Sequence, residues 1–280
     1  MLKRITVFVC ADALCAVSAF ADRDDDRNDR SNDGCSALPT QASLKAALVA
    51  ATNTETSGLN MNMWATIVDR DGIVCAVAFT GTNRGSQWPG SRVISAQKAN
   101  TANSFSLDPS AASGGNGQPL ALSTANLYSA VQPGGSLFGL QESNPVNTLV
   151  AYRGPSANFG TGNDPMTGSK IGGVNVFGGG LALYNTNHQI VGAVGVSGDT
   201  SCADHNIAWR TRNNLQLDHL GTIIKGPAGL FAGDTTHPDN IIYDIAPNLA
   251  GGTGVSATGF GHPSCPNQTT DPKSLPPVAQ

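Results

Sequence analysis

Between residues 178 and 205 the chain reads GGGLALYNTNHQIVGAVGVSGDTSCADH, which brings a serine, a thiol, a carboxylate and an imidazole close together. Ser197 stands in a Gly-Val-Ser-Gly corner. A serine nucleophile takes the strained Gly-x-Ser-x-Gly elbow and a base oriented by a third group. Here the closing glycine arrives one residue early, and the histidines at 188, 205, 219, 237 and 262 stand in no motif that supplies the base. No catalytic residue is therefore assigned. Gly178, Gly179 and Gly180 precede a strand instead of following one and opening a helix. They lack the loop that turns backbone N–H groups toward a phosphate, and flexible entry into the strand accounts for them. Ser201 and Asp204 have the S-x-x-D spacing of a capping box. His205, in the first turn of that helix, has two readings. It packs half-exposed on a sheet edge, or it serves as an axial ligand to an iron centre.

The start of the chain bears on cysteine chemistry. MLKR, an apolar run, and the small residues Ala19 and Ala21 read as a secretory signal cut after Ala21. The run is shorter than the ~20 apolar residues of a membrane span, and no later segment qualifies. A periplasmic or secreted protein is expected. Cleavage removes Cys10 and Cys15 and leaves Cys35, Cys75, Cys202 and Cys265. In an oxidising compartment four cysteines suggest two disulfides with three possible connectivities. Their division between the two halves of the chain favours Cys35–Cys75 and Cys202–Cys265, with buried free thiols as the alternative. No C-x-x-C or H-x-x-x-H spacing occurs, so zinc is not expected. A net charge of −4 and the lack of a basic stripe exclude nucleic acid as a natural partner. Residues 22–34 mix acids, arginines, Asn and Ser and read as a disordered acidic leader.

The elements that must hold these residues follow from periodicity. LPTQASLKAALVAATN is a helix with Thr40 as N-cap and Leu44, Ala47, Leu48 and Ala51 on one face. Residues 60–68 and IVCAVAF form a hairpin around the DRDG turn. A second helix carries Ile94, Gln97, Lys98, Thr101 and Phe105 on one side, where Lys98 is either a solvated edge residue or faces an anionic ligand. Residues 106–122 are loop, QPGG breaks a short helix, and residues 141–170 are a long irregular excursion. GGLALYN and QIVGAVGVSG form another hairpin, whose Gly192 and Gly195 mark a close approach by a backbone or a ligand. A last helix follows, and a Gly/Pro/Asn-rich tail runs on after residue 225. The expected architecture is α+β: a domain over 35–225 with an insertion at about 106–173, and a tail over 226–280 pinned by Cys265.

Several phrases, in order over residues 38–217, resemble one family: VDRDGIVCAVAF, SAQKANTA, QPGGSLFGL, GGLALYN and QIVGAVGVSGDTSCADH. They are similar to the small haem-binding, in part haem-degrading, proteins related to GlcG and HbpS. The resemblance implies a profilin-like α-β-α layered fold around a central antiparallel sheet. It also implies assembly into a homo-oligomer and binding of haem or a related tetrapyrrole as cofactor. Lys98 and Thr101 match the family's K-A-x-T-A helix, and Pro133, Gly134 and Gly135 its P-G-G loop. Gly192, Gly195, Ser197 and Gly198 match its strand end; all are expected to shape fold and pocket. For haem, His205 is the candidate iron ligand. Lys98 with Arg92, or Arg210 with Arg212, are the candidate propionate partners. Two rivals stand beside this reading: an enzyme acting on a small organic acid or aromatic, with the insertion as lid, and a structural oligomer subunit.

Overall fold

In the computed structural model, which describes residues 34–114, 118–231, 234–251 and 254–280, every residue of strand β1 (Trp64–Asp69) is buried. The expected signal segment, and the acidic leader up to residue 33, lie outside the described residues. A strand covered on both faces needs a helical layer on each side. The sheet has the order β2 (Val74–Phe79), β1, β4 (Ile190–Ser197), β3 (Gly180–Tyr184), antiparallel throughout. Helix α2 (Ser91–Ser104) lies over one face. Helices α1 (Gln41–Thr54) and α5 (Ser201–Asn214) pack together over the other. Val68, Val77, Val93, Ala96 and Ala99 fill the α2 side. Leu44, Leu48, Ile67, Leu181, Val194 and Ile207 fill the opposite side. This is the expected α+β arrangement.

Local chemistry sets the joints. Thr40 caps α1 by accepting from Ser43 N–H at 3.2 Å. In the DRDG turn the Asp69 carboxylate accepts from Asp71 and Ile73 N–H, and Gly72 takes a φ of +80°. Gly195 marks the close approach anticipated from the sequence, and the approaching backbone is α2. A Cβ at 195 would run into Ser95 O and Ala99 N. The N-cap of α5 is Thr200, which accepts from Ala203 N–H, so the S-x-x-D capping-box expectation is corrected: Ser201 is already helical. Its threonine neighbour takes the cap, which leaves Asp204 for a different bond.

Helix α2 is buried around most of its circumference, not on a single side. The insertion supplies its outer cover. Short helices α3 (Leu140–Ser143) and α4 (Thr148–Ala151) belong to that insertion, and its Met166 and Ile171 complete the α2-side core. Val74 N–H donates to Ser169 O, and Gly168 N–H donates to Val74 O, so the insertion also closes the β2 edge.

The tail folds back over the other side through α6 (Pro227–Phe231) and the hairpin β5 (Ile245–Ala246) and β6 (Val255–Ser256). Leu275 and Val278 enter the α1/α5 core, and Trp209 Nε1–H donates to Pro276 O at 2.8 Å. The disulfide Cys35–Cys75 ties the segment before α1 to β2. Cys202–Cys265 ties the first turn of α5 to the tail. Among the described residues no helix is long and apolar enough to cross a membrane.

Candidate functional site

Lys98 and Asp204 meet where β4 turns into α5. Lys98 Nζ donates to Asp204 Oδ2 at 2.6 Å and to Val196 O at 3.0 Å, and lies 4.6 Å from the Phe177 ring centre. Asp204 Oδ1 accepts from Gly198 and Asp199 N–H. Burial pushes the Lys98 ammonium down and the Asp204 carboxyl up to about 6, while their mutual attraction opposes both shifts. Three donors on one carboxylate keep the pair ionised at neutral pH. Gly179, at φ +122°, allows the chain to pass against this knot. Ser197 is buried opposite Trp64 at the end of β4. Thr101, one turn further along α2, accepts from Asn175 N–H and donates to Gln97 O. These family-motif residues therefore come together as a solid polar joint.

His205 lies beneath the tail with no exposed surface, not half-exposed on a sheet edge. Its Nε2 accepts from Ile241 N–H at 3.1 Å and lies 3.2 Å from Asn240 Oδ1, and Nδ1 has no hydrogen-bond partner among the described residues. Burial lowers its pKa to about 3, so the ring is neutral. The four cations anticipated as partners of an acidic guest each meet a carboxylate of the chain itself. Arg92 pairs with Asp164, Lys98 with Asp204 and Arg212 with Asp239 at 2.6 Å. Arg210 lies 3.8 Å from Glu55. Sequence reasoning missed these partners because Asp164 stands in the insertion and Asp239 in the tail.

An open cleft lies elsewhere among the described residues. The N-terminal end of α2, the loop before it and the insertion enclose a cleft of about 390 Å³. Trp64, Pro89, Val93 and Phe159 line it, and Arg84 and Tyr152 stand at it. Phe159 is fixed by the Arg92 guanidinium, 3.7 Å from its ring centre. Trp88 and Tyr152 are 47% and 65% exposed nearby. A cleft of this size with a few polar groups suits a flat apolar molecule, and an arginine at its mouth suits a carboxylate on that molecule. Its lining comes from several separate segments with no shared periodicity, so no sequence signal announced it. The P-G-G loop, residues 133–135, borders a second hollow of about 480 Å³ against the β5–β6 hairpin.

The family model of the HbpS-like haem degrading proteins matches residues 40–212. The chain belongs to this family. The HbpS-like match runs from the start of α1 to residue 212 in the last turn of α5, includes the insertion, and ends before the tail. Among solved structures the chain is similar to the Klebsiella pneumoniae protein ORFY, with 28% identity. That alignment covers 63% of this chain and 90% of ORFY at a TM-score of 0.40. The PduOC:haem complex is 21% identical over 62% of this chain and 89% of that one, with a TM-score of 0.40. A double mutant of Streptomyces reticuli HbpS is 15% identical over 62% and 82%, with a TM-score of 0.37. Among curated protein sequences none matches significantly.

Proposed function

We propose that this HbpS-like protein is an exported, homo-oligomeric binder of haem or a related tetrapyrrole. The observation that carries the reading is the aromatic cleft with an arginine at its mouth. A porphyrin is a flat apolar ring bearing two carboxylates. Trp64, Val93 and Phe159 offer the apolar wall, and Arg84 is a cation in place for a propionate. Tyr152 offers a phenol oxygen, a known ligand class for haem iron. His205 becomes an iron ligand only if the tail segment carrying Asn240 and Ile241 lifts away. The bound group would supply iron chemistry. The chain's part is to hold the ring, neutralise its acids and exclude water from one face. Two disulfides and the signal-like start support export. Exposed Trp88, Leu149 and Tyr152 support a second copy covering this side.

Titration of the full chain with hemin tests the reading. A saturable Soret shift at one equivalent is expected, and its absence refutes haem binding. Val93→Trp fills the cleft and abolishes the shift; a shift that survives it refutes the placement. Loss of the shift in Tyr152→Phe but not in His205→Ala identifies the phenol as ligand, and the reverse identifies the imidazole.

A further inference from the structure

The Cys202–Cys265 disulfide sits against a buried imidazole that nothing in the binding cleft uses. The two sulfurs and a ring nitrogen of His262 all lie within 4.8 Å of one another. The His262 ring is 1% exposed and tilts against Tyr128. Its Nδ1 lies 2.8 Å from Pro263 O, the bond of a donor, whereas Nε2 is buried with no partner among the described residues. With Nδ1 turned to that carbonyl, the lone pair of Nε2 is left on offer. The sulfurs also stand at the N-terminal end of α5. Cys202 is its second residue, and Cys265 Sγ accepts from Cys202 N–H at 3.2 Å and lies 3.5 Å from Ser201 Oγ. The N–H groups and dipole of a helix start stabilise a thiolate there.

We propose that reduction of this disulfide converts it into a Cys₂His site for a zinc-class divalent ion. The step balances with a phosphine reductant. The phosphine and one water cleave the S–S bond to two thiols and leave the phosphine oxide. The ion then displaces the two thiol protons and takes the imidazole lone pair. Tetrahedral zinc, with Zn–S of about 2.3 Å and Zn–N of about 2.0 Å, sets its donors roughly 3.5–3.8 Å apart. The three donors already lie within 4.8 Å of one another, so side-chain shifts of about 1–2 Å reach this geometry, the freed sulfurs relaxing apart and the imidazole closing in, with water in the fourth position. The covalent tie between α5 and the tail is thereby exchanged for a metal tie that keeps the tail in place. Cys35, Cys75 and Asp69 form a comparable cluster, but its third donor is a carboxylate, a harder ligand than imidazole and a poorer match to a zinc-class ion beside two thiolates.

The test uses the full chain, oxidised and phosphine-reduced, titrated with Co²⁺ and then Zn²⁺. The reduced chain is expected to take one equivalent with a sulfur-to-cobalt charge-transfer band, and the oxidised chain none. X-ray absorption of the zinc-loaded wild type should give two sulfurs and one imidazole nitrogen, a readout that needs no substitution. His262→Gln should weaken uptake at least tenfold, and Cys202→Ser with Cys265→Ser should remove it. No uptake on reduction overturns the proposal. So does equal uptake by the oxidised chain, uptake retained in the double serine variant, or a metal shell without imidazole.

Discussion

Lys98→Met is the most informative single perturbation of the joint between α2 and α5. It leaves Asp204, at 1% exposure, without its ammonium partner while the carboxylate keeps its bonds to Gly198 and Asp199 N–H. Breaking one half of a buried ion pair costs about 3–5 kcal/mol, because the remaining charge is uncompensated. Asp204→Asn strands the ammonium in the same way, at a similar cost of about 3–5 kcal/mol. Its amide oxygen still accepts from the two N–H groups, so most of that loss is electrostatic. In the double variant neither charge remains, and Met occupies the space of the lysine stem beside Phe177. The double variant should therefore lose no more than the worse single one, a coupling of about 3 kcal/mol between the sites. Urea unfolding of the four proteins at neutral pH, with disulfides intact, measures the cycle. Losses that add to within about 0.5 kcal/mol would mean that the two groups do not sense each other, and the account of this joint would fail.

Three further outcomes follow from the same geometry. Acid should weaken the fold before its ordinary carboxylates protonate. Unfolded histidine takes up a proton below about 6.5, whereas folded His205 and His262 stay neutral down to about 3 and about 4. Each then costs about 1.4 kcal/mol per pH unit on acidification. Asp204, raised to about 6, protonates first in the folded state and offsets one of them. The net is a loss of about 1.4 kcal/mol per unit between pH 6 and 4, and urea midpoints that stay flat over that range would contradict it. Gly195→Ala should destabilise by about 1–3 kcal/mol or more, because α2 must lift from β4; a thermal midpoint equal to wild type would refute that packing. Cys202→Ser with Cys265→Ser opens a cross-link of 63 residues, worth about 4 kcal/mol by loop entropy. Limited proteolysis should then cut the tail first, and unchanged protection would show that it needs no staple.

The sheet was legible because both hairpins announce themselves with apolar runs around polar turns, and DRDG supplies the glycine that its turn requires. Gly195 was legible as a close approach, though a glycine cannot say whether the visitor is a backbone or a ligand. The burial of α2 was not legible. Lys98 read as a solvated edge residue or as one facing an anionic ligand, yet it is buried with Arg92, Ser95, Thr101 and Asn103 under a cover whose own sequence has no period. The same holds for His205: nothing in SCADH tells that Asn240 and Ile241 will close over it. The cleft was invisible for a further reason. Its walls are set by which segments the insertion brings beside α2, and that follows from tertiary packing alone.

The buried cations explain where an acidic guest can be recognised. An ion pair taken out of water adds little net stability, but it penalises any arrangement that leaves one member alone. Arg92–Asp164 fixes the insertion on α2, and Arg212–Asp239 fixes the tail on α5. Misplacing either addition strands a buried guanidinium, so these pairs specify the position of segments whose own apolar patterning is weak. The consequence reaches the cleft. Its inner wall is electrically neutral, since Arg92 is already matched by Asp164 while its guanidinium also steadies Phe159. A guest bearing carboxylates must then enter ring first against Trp64, Val93 and Phe159 and leave its acids at the mouth. Arg84 is an exposed cation among the residues that line the cleft. Arg84→Glu should therefore weaken an anionic porphyrin and spare its neutral ester, a contrast that a change in cleft shape alone would not produce.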